Sequence, residues 1–275
     1  MIIQHNIAAI NSFRNLGINQ SALNKNLEKL SSGYKINRAG DDAAGLAISE
    51  SMRSQINGLN QATQNAEDSI GLIKTAEGAL TEVHSMLQRM STLATQAANG
   101  TYNSVARSNI QSEITELNAE IDRIAKNTDF NGIKPISTKG MMTFQIGPSS
   151  AETIKVTLQG MGAKDIGVDK INVSSAKNSD GIKEANKAID TIRTAIDKVS
   201  QFRAKLGAAQ NRLEHTVNNL RVTSENLTAA ESRIRDTDMA DEITAFTKNN
   251  ILLQSSQSML AQSNAAPQGI LNLLR

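Results

Sequence analysis

Between residues 180 and 235 apolar side chains recur every seven positions: Ile192, Val199, Leu206, Leu213, Leu220, Leu227 and Ile234, with Ile189, Ile196 and Val217 on the adjacent row. Apolar residues make up 39% of the chain. Seven hits in one chosen phase then arise by chance about once in a thousand trials. A helix from about 183 to 235 is roughly 80 Å long, more than the interior of a compact domain of 275 residues spans. The shape this predicts is a rod. A second row, Met52, Leu59, Ala66, Ile73, Leu80, Leu87 and Ala94, keeps the same period and is supported by Ile56 and Ile70. A third segment follows "NGTYN", with Ile110, Ile114, Leu117, Ile121 and Ile124 at alternating three-four spacing. Each stripe alone would stay wet, so the shared period predicts one bundle. Aromatic residues are only 3% with no Trp, so aliphatic seams must supply the burial. No proline interrupts residues 1–134.

From about 128 to 175 the texture changes to Gly, Ser, Thr and β-branched residues. Alternation in "MTFQIG" and "TIKVTL" puts Ile154, Val156 and Leu158 on one face, and "PSSAE" reads as the loop of a β-hairpin. The chain ends carry their own repeats: Ile2, Ala9, Leu16, Leu23 and Leu30 at the start, Met239, Phe246, Leu253 and Leu260 at the finish. Gln20, Asn250 and Gln257 fall on the companion rows of these end helices, and polar seam residues are tolerated where other chains complete the burial. The ends are therefore expected to be disordered in a free monomer and helical after assembly. Both end repeats break at the same distance from their termini, at "LSSGYKINRAGDDAAGLAISE" (30–50) and at "RIRDTDMAD" (233–241). Antiparallel pairing of the first and last helices would bring the two breaks together as one joint. Lys35 and Arg38 would there face Asp236, Asp238 and Asp241.

Chemistry is sparse. A net charge of +2 with mixed signs excludes a nucleic-acid footprint and a polybasic membrane patch, and cysteine is absent. No apolar run approaches 18 residues and the start lacks a secretory leader, which predicts a soluble chain that reaches the outside, if at all, without a cleaved signal. Asp41 and Asp42 form a carboxylate pair, but "DDAAGLAIS" reads as an acidic cap opening a helix. The glycines around it fit no phosphate-loop spacing. His5, His84 and His215 are scattered, and H-E-x-x-H does not occur. No cofactor, metal or catalytic residue is expected.

Six segments in order carry a resemblance: "NIAAINSFRNL", "LEKLSSGYKINRAGDDAAGLAIS", "EIDRIAKNTDFNG", "LGAAQNRLEHTVNNL", "NLTAAESRIRDTDMADEI" and "APQGILNLLR". Over nearly its whole length the chain resembles bacterial flagellin. The resemblance implies a mainly α filament subunit: an elongated rod of long coiled-coil-like helices with a small β-hairpin, its terminal helices pairing antiparallel. Residues 1–40 and 236–275 would form the channel-lining terminal layer and 41–235 the rod, with no outer variable domains. Ile2, Leu16, Leu23, Leu30, Phe246, Leu253 and Leu260 would form the terminal seam used in polymerisation, and Arg38, Asp41, Asp42, Asp236 and Asp238 the interlayer joint. The family further implies a secreted, extracellular structural protein, not an enzyme, exported through the flagellar type III apparatus. Its partners would be further copies of itself, an export chaperone, the filament cap and the hook-filament junction proteins. "QRMSTLATQAANGTYN" matches the region that the flagellin-sensing Toll-like receptor of animals recognises, which points to Gln88, Arg89, Leu93 and Glu113. By helical phase Leu93 is expected on the outer face beside Arg89, with Met90 an apolar departure from that motif's polar surroundings. A hook-filament junction protein is the alternative within the same architecture.

Overall fold

The computed structural model describes residues 5–174 and 178–273. Its elements are α1 (Ile7–Ser32), α2 (Ala43–Ala98), α3 (Ser104–Asn127), β1 (Gly140–Gln145), β2 (Thr153–Leu158), α4 (Ala163–Ile166), α5 (Asn178–Arg235) and α6 (Met239–Leu273). The mainly helical class, the long uninterrupted helices and the hairpin agree with the sequence reading. Two compact units form, one from Met1–Ile56 with Glu225–Arg275 and one from Asn57–Ser224. Helices α2 and α5 contribute residues to both.

In the unit of residues 57–224 the seven-residue rows do what their period predicts. Ile73, Leu80 and Leu87 of α2, Ile114 and Ile121 of α3, and Ile192, Val199, Leu206 and Leu213 of α5 are all buried in one cluster. Each such side chain contributes about 1.5–3 kcal/mol by leaving water. Phe202 is completely buried with them, one of few rings in an aliphatic core. Strands β1 and β2 pair antiparallel, with Met142 opposite Val156 and Phe144 opposite Ile154. Ile154, Val156 and Leu158 are buried, so the alternation selects the inner face of β2 as expected. Arg203 pairs with Glu77 at 3.6 Å and Arg221 with Glu67 at 2.6 Å, tying α5 to α2 at the surface. Such exposed pairs add about 0–1 kcal/mol each.

The loop between β2 and α5 has little secondary structure, and α3 satisfies its backbone. Asp122 accepts from the Ala163 N–H at 2.7 Å and Asn118 donates to the Val168 carbonyl at 3.0 Å. Gln111 grips both groups of one stretch, donating to the Ile171 carbonyl and accepting from the Val173 N–H. Buried backbone groups need partners, and here polar side chains on one helix provide them in register.

Arg107 is the feature that periodicity does not announce. It lies one turn into α3, is completely buried, and donates from Nε to the Ala97 carbonyl at 2.9 Å and from Nη2 to the Asn99 carbonyl at 3.3 Å. The guanidinium thus caps the C-terminus of α2, where unpaired carbonyls and the helix dipole favour a cation. Gly181 at the start of α5 leaves it room, since a Cβ there would lie 2.7 Å from Arg107 Nη1. Arg107→Ala removes the cap and opens a cavity, so the urea-unfolding free energy should fall by about 3 kcal/mol. Arg107→Lys should recover only part of it, because an ammonium lacks the planar fork.

Candidate functional site

In the unit of residues 1–56 and 225–275, α1 and α6 run antiparallel. Along α1 the partners descend α6: Asn6 reaches the Ser263 carbonyl, Asn19 reaches Ser256 at 2.7 Å, and Lys29 pairs with Glu242 at 3.7 Å. Leu23 is buried in this seam, while Leu16, Leu30, Phe246, Leu253 and Leu260 are half-buried. Ile2 lies outside the described residues. The polar companion rows differ in part from the expectation: Asn250 is half-buried, but the two glutamines are not. Gln20 and Gln257 are exposed, and the row three residues from the leucines faces the partner helix instead. Ser12 and Ser263 meet there at 3.5 Å beside the Asn19–Ser256 bond. Asn26 is buried, with its Nδ2 lacking a hydrogen-bond partner among the described residues. Large apolar residues point the other way: Phe13 is 68% exposed, Ile10 60% and Ile251 61%, with Ile7, Ile18, Ile243 and Met259 similarly bare. The pair therefore has a seam in which leucines alternate with serines and asparagines, and an apolar outside.

The two sequence breaks do meet. Tyr34 and Asp236 form an isolated antiparallel bridge, with the Lys35 N–H donating to the Arg235 carbonyl at 2.8 Å and the Thr237 N–H to the Gly33 carbonyl at 3.0 Å. Gly33 ends α1 in the left-handed conformation, φ 76°, and its N–H caps the Lys29 carbonyl. The expected ion pairs of Lys35 and Arg38 with Asp236, Asp238 and Asp241 do not form among the described residues. The carboxylates are engaged locally instead. Asp238 accepts from the N–H groups of Ala240 and Asp241 and starts α6, and Asp42 accepts from the Gly45 N–H at 2.9 Å and starts α2. Asp236 enters the joint through its main chain. Arg38 turns back to Glu28 at 2.8 Å, and Lys35 donates to the Arg233 carbonyl at 3.0 Å.

Arg235 joins three chain segments here, although in the sequence it carries no signal beyond being one of several basic residues nearby. Its guanidinium sits 4.8 Å from the centroid of the Tyr34 ring, and Nη1 donates to Glu50 at 2.6 Å. Glu50 of α2, the end of α5 and the turn after α1 are thereby held to one side chain that is only 12% exposed. A partly desolvated cation over a ring contributes about 1–2 kcal/mol.

Asp41 closes the turn before α2. Its Oδ2 accepts from the Arg38 N–H at 3.1 Å and the Asn37 N–H at 3.3 Å, and Lys25 lies 3.9 Å away. The Arg38 amide first, then the Asn37 amide, hold its carboxyl below the ordinary carboxylate value.

The Arg89 region departs from expectation at one residue. Arg89 is exposed and bonds Glu113 of α3 at 2.8 Å, and Gln88 lies beside it within 3.0 Å of His84 Nε2. Leu93 is buried, 2% exposed, in the cluster with Met90, Ala94, Ala97 and Ile110. The outward placement fails because α2 is flanked on two sides, by α3 at Arg89–Glu113 and by α5 at Glu77–Arg203. Its buried face is consequently wider than a two-row seam. Met90 is completely buried for the same reason and is a core residue.

Leu93→Ala should therefore lower stability by about 2–4 kcal/mol in denaturant titration, whereas Arg89→Ala should change it by about 0–1 kcal/mol. For Asp41, a depressed folded value means that its contribution is present above the ordinary carboxylate value and is lost as pH falls through the depressed one. Asp41→Asn should melt at lower temperature at neutral pH, and its melting temperature should fall less steeply than wild type on acidification.

Comparison with known proteins places these features in a family. Residues 3–140 match the model of the bacterial flagellin N-terminal helical region, and residues 189–274 match that of the C-terminal helical region. The chain is 51% identical to the flagellin of Bacillus subtilis over 305 aligned positions, covering all of both chains. It is 48% identical to the flagellar filament 33 kDa core protein of Treponema phagedenis, again with full coverage of both. Among solved structures, Bacillus cereus flagellin aligns with a TM-score of 0.51 and 31% identity, covering 61% of this chain and 94% of that one. A protein from Vibrio parahaemolyticus assigned as a putative flagellar hook-associated protein aligns with a TM-score of 0.59 at 14% identity, over 71% of this chain and 100% of that one, and shares the fold alone. Among the described residues no helix is long and apolar enough to cross a membrane. The chain belongs to the bacterial flagellin family and is a structural subunit of the flagellar filament.

Proposed function

We propose that this subunit polymerises by burying the apolar outer surface of its α1–α6 pair against other copies. The observation that carries the reading is the exposed apolar face described above: Phe13, Ile10 and Ile251 lie outside a seam whose leucines are interspersed with serines and asparagines. Contacts that join different faces of identical subunits without closing into a ring generate a helical filament. Residues 1–40 and 236–275 would then form the layer lining the channel and 41–235 the outer layer, with Tyr34, Arg235 and Glu50 fixing the change of direction. The role is structural and involves no catalysis.

The same marginal end pair suits export in an unfolded state through the flagellar type III apparatus, because little local stability opposes unfolding. In this reading the ends fold on assembly, and the export chaperone, the filament cap and the hook-filament junction proteins engage the subunit before or at incorporation. The secreted protein also serves as a ligand of the flagellin-sensing Toll-like receptor. Gln88, Arg89 and Glu113 supply that contact, and Leu93 supports it from beneath as a positioning residue. An exposed arginine beside polar neighbours makes a compact recognition patch.

Phe13→Asp and Ile251→Asp should block sedimentable filaments while the monomer keeps its thermal transition. Normal filaments from both variants would remove the polymerisation reading. Far-UV circular dichroism should show less helix in monomer than in filament. In a receptor reporter assay Arg89→Ala should signal several-fold more weakly at unchanged stability, and unchanged signalling would remove the receptor contact.

A further inference from the structure

The chain contains three Asn-Gly steps, at 57–58, 99–100 and 131–132, and their surroundings differ. We infer that Asn99 is a site of spontaneous conversion to aspartate and isoaspartate, and that the other two are protected by the fold. In this reaction the backbone nitrogen of the following residue attacks the side-chain carbonyl carbon. The Gly100 N–Cγ bond forms, the Cγ–Nδ2 bond breaks, and ammonia leaves with the proton lost by the amide. Water then opens the succinimide, at the side-chain carbonyl to give aspartate or at the main-chain carbonyl to give isoaspartate. No enzyme, oxidant or cofactor is needed.

Three features favour Asn99. Asn99 and Gly100 are both exposed in the turn after α2, so water and base reach them. The Gly100 N–H makes no hydrogen bond among the described residues and is free to lose its proton. The Thr101 N–H donates to Asn99 Oδ1 at 3.3 Å, a donor aimed at the oxygen on which negative charge develops during attack. At Asn131 the Gly132 N–H is held by the Asp129 carboxylate at 2.9 Å, which opposes its deprotonation. At Asn57 the Gly58 N–H lies in the hydrogen-bond ladder of α2. Gly58 also packs closely on Pro148, where an added Cβ would lie 2.8 Å from the proline Cβ.

Conversion has a structural consequence. The Asn99 carbonyl accepts from Arg107 Nη2 and from the Tyr102 N–H. Isoaspartate routes the main chain through one extra carbon and displaces that carbonyl. Either product also adds a negative charge at the C-terminus of α2, where the helix dipole disfavours it. Ageing would thus loosen the turn that Arg107 holds.

The test is peptide mapping by mass spectrometry of the full-length native protein during incubation in mildly alkaline buffer, with isoaspartate identified by methyltransferase labelling. A parallel sample in urea reports the intrinsic rate of each step. The expected result is that native Asn99 converts several-fold faster than Asn57 and Asn131, whereas the three converge in urea. Equal native rates at the three sites, or faster conversion at Asn131 or Asn57, would overturn the inference. Gly100→Ala should suppress conversion at Asn99 several-fold, and persistence of the wild-type rate in that variant would also overturn it. Asn99→Asp should reproduce a lowered melting temperature without incubation, and an unchanged one would remove the proposed loosening.

Discussion

An amphipathic helix in water must have its apolar stripe covered, and helices of 56 and 58 residues carry stripes too long to be covered piecemeal. In the unit of residues 57–224 the chain solves this internally. Stripes from α2, α3 and α5 close on one another, the hairpin covers a further patch with Ile154 and Val156, and polar side chains of α3 satisfy the backbone of the following loop. In the unit holding both chain ends the constraint is met only in part. Leu23 is buried, but the larger share of apolar side chains on α1 and α6 faces outward, and the seam contains serines and asparagines. Two units built from the same kind of helix thus differ in where their large aliphatics point.

The joint links α1 and α6 to α2 and α5 through a few specific contacts. Its continuity comes from main-chain hydrogen bonds between the Gly33–Lys35 and Arg235–Thr237 stretches, which do not depend on side-chain identity. Arg235 adds specificity by meeting a ring and a carboxylate at once. The acidic residues on either side serve to start helices, a task for which a carboxylate beside free N–H groups is well suited and which needs no partner from another segment. Exposed pairs of Lys35 and Arg38 with Asp236, Asp238 and Asp241 would have contributed little, so their absence among the described residues costs little.

Much of this was legible in the sequence, because a seven-residue period sustained over many turns admits few other readings. Helix extents, the hairpin with its inward Ile154 and Val156, and the meeting of the two breaks all follow from periodicity and distance from the ends. What periodicity reports less well is how wide a buried face is. Leu93 was assigned outward on a two-row seam, yet α2 contacts helices on both flanks and buries a third row. The same uncertainty of one position placed Gln20 and Gln257 in a seam that Asn19 and Ser256 occupy. Arg107 was illegible for a different reason: a lone arginine in an amphipathic helix looks like any solvated cation, and only the turn folded over it reveals the carbonyls it caps. Arg235 likewise could be told from Arg233 only once Tyr34 lay beside it.

The composition of the terminal seam follows from the same physical rule that closes the core of the other unit. A pair of helices has a fixed complement of apolar side chains, and each can be buried in its own seam or offered to a neighbour, but not both. Moving Phe13, Ile10 and Ile251 into the seam would give a sturdier monomer and a surface with no reason to associate. Placing serine and asparagine there, with the Asn26 Nδ2 lacking a partner among the described residues, gives the seam less apolar burial than leucines at the same positions would. Apolar side chains left on the outside of the pair remain available for burial against other surfaces, and those buried in the seam do not.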